Sequence, residues 1–147
     1  MASIRRILHP SDFSKASSAA FAKAVELAKA NRAELVLLYV LAPVPILGDG
    51  YVSPQVYEDL DKSARAHAGK QLAGLVAKAK KAGARAKAVL RDGVAHEQIV
   101  QAARSLRADM IVIGTHGRTG LAKLFMGSVA GRVVSAATCP VMTVRGK

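Results

Sequence analysis

The chain has 147 residues, and 22 Lys and Arg against 10 Asp and Glu give it a net charge of +12. This length is typical of one domain with a full hydrophobic core, so we expect residues 1–147 to form a single domain. The only cysteine, Cys139, excludes a framework of internal disulfides and suits a reducing compartment. The longest apolar run, residues 35–47, is too short to span a bilayer and contains two prolines, and no secretory signal is visible. We therefore expect a cytoplasmic protein without a membrane partner.

The first third of the chain reads as strand, helix and strand. Residues 3–10 predict a short strand that ends at Pro10, and residues 33–41 form a continuous apolar run, as expected of a strand covered on both faces. Between them, apolar residues at spacings of three and four predict a helix from Ser14. Three polar residues are suited to cap that helix: Ser11, Asp12 and Ser14.

The middle of the chain predicts a long helix followed by an edge strand. Ser53-Pro54 is a typical helix start, and Gly83 a typical helix end. Residues 84–92 alternate like a strand near the edge of a sheet. The predicted buried face of the helix is one apolar stripe: Val56, Leu60, Ala64, Ala68, Leu72, Leu75 and Ala79.

The last third continues the alternation. A helix is predicted over 94–107, an apolar strand over 109–114, a helix over 128–138 and a final strand over 140–145. Five strands that alternate with four helices, without an internal repeat, indicate a parallel sheet covered by helices on both faces. The predicted fold class is an open, doubly wound α/β domain.

The strand order decides where a ligand would bind. Ligands in such sheets occupy the carboxyl ends of the strands, at the point where the strand order reverses. Residues 9–12 follow the first predicted strand, and the stretch 114–120 follows the fourth. In the order 3-2-1-4-5 these two segments flank one crevice, whereas the order 2-1-3-4-5 would separate them. Their chemistry favours the first order, but periodicity alone leaves both open.

Five glycines lie between residues 111 and 131, and their spacing is informative. Neither a Walker A loop nor a G-x-G-x-x-G fingerprint is present. Gly114 is instead followed after two residues by Gly117, and after nine more by Gly127-Ser128 at the start of a predicted helix. Glycines let backbone N–H groups converge on an anion, and a helix start adds unpaired donors, so the segment predicts a phosphate cradle to which Arg118 adds charge. The alternative is that these glycines only permit close packing.

These segments together resemble the universal stress protein family along almost the whole chain. The family signature G-x2-G-x9-G-[ST] matches Gly114, Gly117, Gly127 and Ser128 without a gap. The stretches ILHPSDFSKAS, LLYVL and CPVMTVR resemble its first, second and last strands. The resemblance implies a Rossmann-like domain of the adenine nucleotide alpha hydrolase-like type, with strand order 3-2-1-4-5 and ATP, carried with Mg, at the switch point.

The resemblance also implies a role for each matching residue. Phosphates are expected on Gly117, Gly127, Ser128 and the backbone of Val129. Arg118, which the chemistry of the loop and not the resemblance suggests, is either a phosphate contact or a solvated loop arginine. The ribose is expected beside Gly114. Asp12 is expected near the ribose or adenine, unless it is only a helix cap, and Val40 against the adenine, unless it is an ordinary core residue. Whether the nucleotide is ATP, ADP or another adenine nucleotide stays open.

The resemblance further implies a homodimer, formed through the last strand Pro140–Arg145, and a nucleotide-dependent switch in the stress response. No catalytic residue or metal ligand is assigned, because Asp12 is the only carboxylate in the crevice segments and His9 and His116 are lone histidines. A slow ATP-hydrolysing or nucleotidyl-transfer enzyme of the same fold is the alternative function. The first loop, HPSDFS, lacks the glycines that such enzymes carry.

The positive charge of one segment suggests a second alternative function. Nine Lys and Arg, and no Asp or Glu, lie between Lys62 and Arg91, which is a pattern able to attract nucleic acid or another anion. The stretch offers no aromatic platform for unpaired bases and no base-reading element. A solvated basic face is therefore favoured, and nucleic acid is not expected as the main partner.

Overall fold

The computed structural model of the protein describes residues 3–43, 53–116 and 126–146. Its strands are β1 (Arg6–Pro10), β2 (Glu34–Leu41), β3 (Arg85–Asp92), β4 (Met110–Gly114) and β5 (Val141–Val144). Its helices are α1 (Ser18–Asn31), α2 (Pro54–Lys81), α3 (Ala95–Ser105) and α4 (Ser128–Ala136), and a short 3-10 helix, Lys15–Ser17, precedes α1. The predicted alternation of strands and helices is confirmed, with ends that shift by a few residues.

The sheet is parallel throughout, and its order is β3-β2-β1-β4-β5. Arg6 of β1 pairs with Glu34 of β2, and Ile7 pairs with Met110 of β4 on the other side. The order reverses between β1 and β4, which settles the choice that periodicity had left open. The carboxyl ends of β1 and β4 therefore lie side by side, and the segments that follow them share one edge of the sheet.

Successive residues of the central strands contribute alternately to two separate layers of the hydrophobic core. Ile7 of β1 packs with the buried residues of α1 and α2, whereas Leu8 packs with those of α3 and α4. Leu35 and Val36 divide in the same way on β2. Because side chains point to opposite faces at every second residue, strands that are apolar throughout must be covered on both sides. The helices thus form two layers, with the sheet between them.

The first turns of α2 depart from the predicted buried stripe. Ala68, Leu72 and Ala79 are buried as expected, but Val56 and Leu60 are each 49% exposed. A helix of 28 residues is roughly 42 Å long at 1.5 Å per residue, while a strand of eight residues spans only about 26 Å. The start of α2 therefore extends past the sheet, and its apolar residues have no strand to cover.

The helix ends follow the sequence signals more closely. Ser53 Oγ accepts the Val56 N–H at 3.2 Å, and Pro54 opens α2. Gly83 follows the end of α2 with a φ of 102°. Cys139 packs against the α3 and α4 layer of core, and burial raises the pKa of its thiol, as expected of a structural cysteine and not of a reactive one. None of the described helices combines the length and apolarity needed to cross a membrane.

His9 is a buried titratable group in the central strand. Its side chain is 0% exposed, its Nδ1 lies 2.9 Å from the Val112 carbonyl oxygen, and its ring faces Phe21 at 6.0 Å. Because a carbonyl only accepts, Nδ1 carries the proton, and Nε2 has no partner among the described residues. Burial lowers the pKa of His9 from 6.5 to about 4, so the imidazole is neutral in the folded protein at neutral pH.

We predict that His9 makes the protein acid-labile. Above pH 6.5 the imidazole is neutral in both states; between that pH and about 4, only the unfolded chain binds the proton, so the free energy of unfolding falls. The loss is complete below about pH 4 and is on the order of 3 kcal/mol. Denaturant unfolding of wild type and His9→Gln from neutral to acid pH tests this.

His9→Gln should lower stability at neutral pH but flatten the dependence across this window, relative to wild type. His67→Gln, which removes an exposed imidazole from α2, is the control and should keep the wild-type slope. Parallel curves for wild type and His9→Gln would contradict the assignment.

Candidate functional site

The segments after β1 and β4 meet at one edge of the sheet, as the strand order requires. A Cβ built on Gly114 would lie 3.7 Å from the Ser17 Cα and 3.8 Å from the Ala16 carbonyl oxygen. The last residue of β4 is thus in van der Waals reach of the 3-10 helix that follows β1. We call the space between this 3-10 helix, the end of β4 and the start of α4 the crevice.

Two main-chain hydrogen bonds fix the base of the loop between β4 and α4. The Thr115 N–H donates to the Val144 carbonyl at 2.9 Å, and the Thr115 carbonyl accepts the Gly127 N–H at 2.5 Å. The second bond joins the two ends of the signature segment, so Gly114 and Gly127 are held near each other although twelve residues separate them. The first bond ties the same point to β5. The start of α4 is consequently fixed relative to the sheet.

The loop after β1 is held by hydroxyl and carboxylate oxygens. Asp12 Oδ1 accepts the Ser14 N–H at 2.9 Å, and Ser11 Oγ accepts the Phe13 N–H at 3.0 Å. Ser14 in turn caps the 3-10 helix by accepting the Ser17 N–H at 3.2 Å. Of the three predicted caps, Ser14 therefore caps a helix, while Asp12 and Ser11 close the turns before it. Asp12 is half-buried and lies beside the crevice.

Phe13, next to Asp12, has a φ of 63°, in the left-handed region that a bulky residue rarely adopts. Its ring stacks on Tyr39 of β2 with centroids 4.6 Å apart. The stacking compensates for backbone strain on the order of 1 kcal/mol or more, and it fixes the direction in which the chain leaves β1. The position of Asp12 therefore depends on the backbone conformation of Phe13 as well as on its own hydrogen bond to Ser14.

Val40 lies on β2 beyond the last residue that pairs with β1. Pro10 pairs with Leu38, so Val40 extends past the end of β1, at the level of the loop that contains Asp12. Its side chain is half-buried and packs against the α3 and α4 layer of core. The position is compatible with the predicted apolar wall of the crevice and equally with an ordinary core role.

The start of α4 offers donors for an anion. Gly127 is the N-cap with φ −60° and ψ 156°, and no side chain in the described part of the chain caps the helix. The first N–H groups of any helix have no partner within it, and the helix start carries a partial positive charge. Ser128 and Val129 are exposed there. Among the described residues, no capping side chain competes with a ligand for these donors.

Asp12, Val40, Gly114, Gly127, Ser128 and Val129 all lie at the carboxyl edge of the sheet, where β1, β2 and β4 end and α4 begins. Contacts link Gly114 to the 3-10 helix that follows Asp12, and Gly127 to Thr115. Gly117 and Arg118 lie outside the described residues, so their predicted phosphate contacts stay predictions. Three further residues help to shape this edge of the sheet, and no sequence pattern had indicated them: Phe13, Thr115 and Gly146. The first two act through backbone geometry, and a Cβ on Gly146 would lie 2.6 Å from the Ala16 carbonyl oxygen, so glycine is required for this close approach.

The two histidines near the crevice differ in their access to a ligand. His9 is fully buried, so its side chain is not accessible to a ligand in the crevice. His116 is half-buried, and its Nδ1 lies 3.0 Å from Thr115 Oγ1. Within residues 3–43, 53–116 and 126–146, no group of three or more side chains is arranged to hold a metal ion.

An open groove of about 520 Å³ runs along α4 beside the crevice. It shares Gly127 and Ser128 with the crevice, and the residues that line the rest of it include His96 and Arg132. It follows the solvent side of α4 and does not include Asp12 or Gly114. We therefore place the candidate site in the crevice, where the signature residues and the first loop converge.

A family model described as the Universal stress protein family matches residues 3–145. Universal stress protein MJ0531 of Methanocaldococcus jannaschii is 34% identical over 142 residues, which cover 96% of this chain and 82% of the relative. The solved structure of protein MJ0577 from the same organism has a TM-score of 0.87 at 25% identity and covers 99% of both chains. UspA from Lactobacillus plantarum has a TM-score of 0.84 at 29% identity and covers 99% of this chain and 100% of its own.

Two further structures with this fold are described with a nucleotide. A universal stress protein from Archaeoglobus fulgidus, in complex with dAMP, has a TM-score of 0.67 at 22% identity and covers 99% of this chain and 100% of its own. A family protein from Arabidopsis thaliana, with AMP bound, has a TM-score of 0.70 at 24% identity and covers 97% and 92%. At these identities the similarity shows only that the fold is shared, and the bound nucleotides are properties of those two proteins.

We predict that substitutions at Asp12 separate its turn hydrogen bond from its charge. Asp12→Asn retains an oxygen that accepts the Ser14 N–H, so its free energy of unfolding should be higher than that of Asp12→Ala. Asp12→Ala removes the acceptor and should cost about 1 kcal/mol, as loss of a capping oxygen does. Urea unfolding of the three proteins measures both differences, and equal stability of Asp12→Ala and wild type would contradict the turn role.

Proposed function

The chain belongs to the universal stress protein family, and from this premise we propose that it binds ATP, carried with Mg, in the crevice between the loop after β1 and the start of α4. The observation that carries the proposal is the hydrogen bond from the Gly127 N–H to the Thr115 carbonyl. It joins the two ends of the glycine signature at the point where the strand order reverses. Open α/β sheets bind their ligands at such a point.

The donors at the start of α4 suit the phosphates. Gly127, Ser128 and the backbone of Val129 are at a helix start without a capping side chain among the described residues, and such a start favours an anion. Gly117 and Arg118 are proposed to complete the cradle on the strength of the sequence signature. The ribose is proposed to lie beside Gly114, with Asp12 near the ribose or adenine and Val40 against the adenine.

The nucleotides described for two proteins of this fold are AMP and dAMP, which supports an adenine nucleotide as the class of ligand. ATP is the finer proposal, and it rests on the spacing of the signature glycines in this chain. We also propose that residues 1–147 act as one domain in the cytoplasm. The single unbridged cysteine suits that reducing compartment.

We propose that the protein forms a homodimer through β5, over Pro140–Arg145. β5 is at the edge of the sheet, and its only neighbour among the described strands is β4. The Pro140 and Val144 carbonyls accept N–H groups of Ile111 and Thr115, so the alternation of the strand turns the main-chain groups of Val141 and Thr143 outward. Such unpaired groups are a template for a second strand, and the same strand of a second copy would satisfy them.

The site and this edge are connected, which supports a nucleotide-dependent switch in the stress response. The Thr115 N–H bonds to the last residue of β5, and α4 leads from the signature into β5. A ligand present at a hundredfold excess over its Kd stabilises the state that it prefers by about 2.7 kcal/mol. A dimer with a higher affinity than the monomer for ATP would be favoured by that nucleotide.

We predict that Gly114→Ala folds normally but binds Mg-ATP at least about tenfold more weakly, a loss of about 1.4 kcal/mol. The nearest atoms to the added Cβ are 3.6 to 3.8 Å away, an ordinary contact distance, so the fold accommodates the methyl group. The methyl group then occupies the space proposed for the ribose. Calorimetric titration of nucleotide-free protein with Mg-ATP, and separately with AMP, measures the affinities.

Gly74→Ala on α2 is the matched control, because nothing lies within 4 Å of the added Cβ. It should bind as wild type does and be more stable by about 0.5–1 kcal/mol, as expected of Gly→Ala within a helix. Wild type that does not bind Mg-ATP, or Gly114→Ala that binds it fully, would contradict the proposed site. Equal affinity for AMP and ATP would retain the site but contradict a triphosphate cradle.

We predict that Thr143→Pro produces a monomer. Proline removes the outward N–H of an edge residue, while the β4 ladder uses the groups of the residues on either side. Thr143→Val, which keeps the N–H and removes the hydroxyl, should remain a dimer. Sedimentation velocity of the three proteins measures their mass, and a dimeric Thr143→Pro protein with native circular dichroism would contradict pairing through β5.

A further inference from the structure

The end of the molecule opposite the crevice is strongly basic. All five strands are parallel, so their amino ends share one edge of the sheet, and α1, α2 and α3 each end there. Eight exposed basic side chains belong to the last turns of these helices or to the turns and strand start that follow. We call this set the basic pole: Lys29, Arg32, Lys78, Lys80, Lys81, Arg85, Arg104 and Arg107.

Contacts join the α1 and α2 parts of the basic pole into one surface. Arg85 Nη2 donates to the Arg32 carbonyl at 2.8 Å, which ties the start of β3 to the end of α1. Lys29 packs over the end of α2, because its Cε would lie 3.5 Å from a Cβ on Gly83. β3 follows the end of α2 and β4 follows the end of α3, and these two strands are three interstrand spacings, or roughly 14 Å, apart across the sheet.

The carboxylates nearest these strand starts are already engaged. Glu34 pairs with Arg6 at 2.9 Å and with Lys87 at 3.4 Å, and Asp109 Oδ2 accepts the Arg5 and Arg6 N–H groups at 2.8 and 2.9 Å. Neither carboxylate forms an ion pair with a member of the basic pole in the described part of the chain. The positive charge of the pole is therefore not neutralised by these two acids.

The fold divides the basic stretch that sequence alone presented as one feature. Lys62 and Lys70 lie on the first two thirds of α2, whereas Lys81 and Arg85 join Arg32 and Arg107, which come from other parts of the chain. Lys62 and Lys81 are 19 residues apart on one helix, or roughly 28 Å. The concentrated charge is thus at one end of the molecule and not along the face of α2.

Two arginines of the pole occupy positions where glycine is favoured. Arg32 follows α1 with a φ of 53°, and Arg107 follows α3 with a φ of 54°. The corresponding turn after α2 carries Gly83 with a φ of 102°, which is the usual solution at a helix end. A left-handed non-glycine residue costs about 1–2 kcal/mol. Favourable interaction with the helix dipole is available to a cation anywhere in the last turn, so it does not require these two strained positions.

We propose that the basic pole binds the phosphate backbone of duplex DNA without regard to sequence. Four of its eight members are arginines, whose guanidinium groups bind phosphate oxygens in a bidentate manner. No aromatic residue lies at 29–33, 78–87 or 104–109, so the pole has no platform on which unpaired bases would stack. A duplex presents its phosphates at a regular spacing and needs no such platform.

The surroundings of the pole disfavour a membrane surface. The exposed large hydrophobic residues of the described chain belong to the start of α2, the turn before α3, and α4 with the residue before its N-cap. None of them belongs to the last turns of α1, α2 or α3 or to the turns that follow. Stable binding at a bilayer interface combines basic charge with inserted apolar side chains, and the pole offers only the charge.

Fluorescence anisotropy with a labelled duplex of about 20 base pairs, two turns of DNA, tests the proposal. Between about 50 and 200 mM salt, log K should fall with log salt at a slope of about −3 to −5, as three to five neutralised phosphates require. The double variant Arg32→Gly/Arg107→Gly should reduce the magnitude of the slope by about 2 and weaken binding about tenfold near 100 mM salt.

The same double variant also separates function from stability. Because glycine relieves two left-handed positions, its thermal midpoint should not fall below that of wild type, so weaker binding would not reflect unfolding. The control Lys62→Gln/Lys70→Gln removes the same amount of charge from α2 away from the pole. It should bind duplex DNA within about twofold of wild type, since those lysines lie outside the phosphate contacts.

Three results would overturn the proposal. The first is wild type that fails to bind the duplex at the lowest salt. The second is a control variant that loses as much affinity as the pole variant, because binding would then depend on the total charge of the protein and not on the basic pole. The third is tighter binding to vesicles with an anionic phospholipid, or to a polyglutamate peptide, than to the duplex. The nucleotide site is not involved, so failure of ATP binding would leave these outcomes unchanged.

Discussion

The parallel pairing of β1 with β2 on one side and with β4 on the other is the constraint on which the rest of the structure depends. It is the only arrangement in this sheet that reverses the strand order, and it makes β1 a central strand without access to water. Every residue from Ile7 to Pro10 is buried, so the imidazole of His9 has to stay neutral for the strand to remain between its two layers. The same pairing places the loop after β1 beside the end of β4, which creates the crevice.

The direction of the parallel strands also separates the charges of the molecule. Each of the helices α1, α2 and α3 runs from the carboxyl edge of the sheet to its amino edge, so these helices start on the side of the crevice and end at the basic pole. Acidic residues occupy the first part of α2 and the first turn of α3, and basic residues occupy the last turns. This arrangement agrees with the helix dipoles. In the described residues no side-chain hydrogen bond from the N-cap residue satisfies the first N–H groups of α4, which begins after Gly127, or those of α3, which begins after Val94.

Sequence patterns predicted the fold well because its signals are local and repeated. Continuous apolar runs identified β2 and β4 as covered strands, and Ser53-Pro54 and Gly83 marked both ends of α2. The exposure of Val56 and Leu60 was not predictable, because helical periodicity carries no information about where the neighbouring sheet ends. The crevice followed from the glycine spacing only once a strand order was assumed. The contributions of Phe13, Thr115 and Gly146 had no sequence signal, since each depends on backbone geometry and on a contact distant in sequence.

Three non-glycine residues of the described chain hold a left-handed backbone, and their positions follow the functional division of the molecule. Phe13 lies beside Asp12 at the crevice, and Arg32 and Arg107 lie at the basic pole. The turns at Gly83 and Gly93 use glycine for a positive φ, so this chain does adopt the less strained solution elsewhere. Where a residue type conflicts with its backbone conformation, something other than local stability has to favour it. At Phe13 that is the stacking on Tyr39, which directs the loop toward the crevice. At Arg32 and Arg107 no hydrogen bond or ion pair of the guanidinium groups within the described residues supplies such a reason, and the proposed anionic partner at that end of the molecule would supply one.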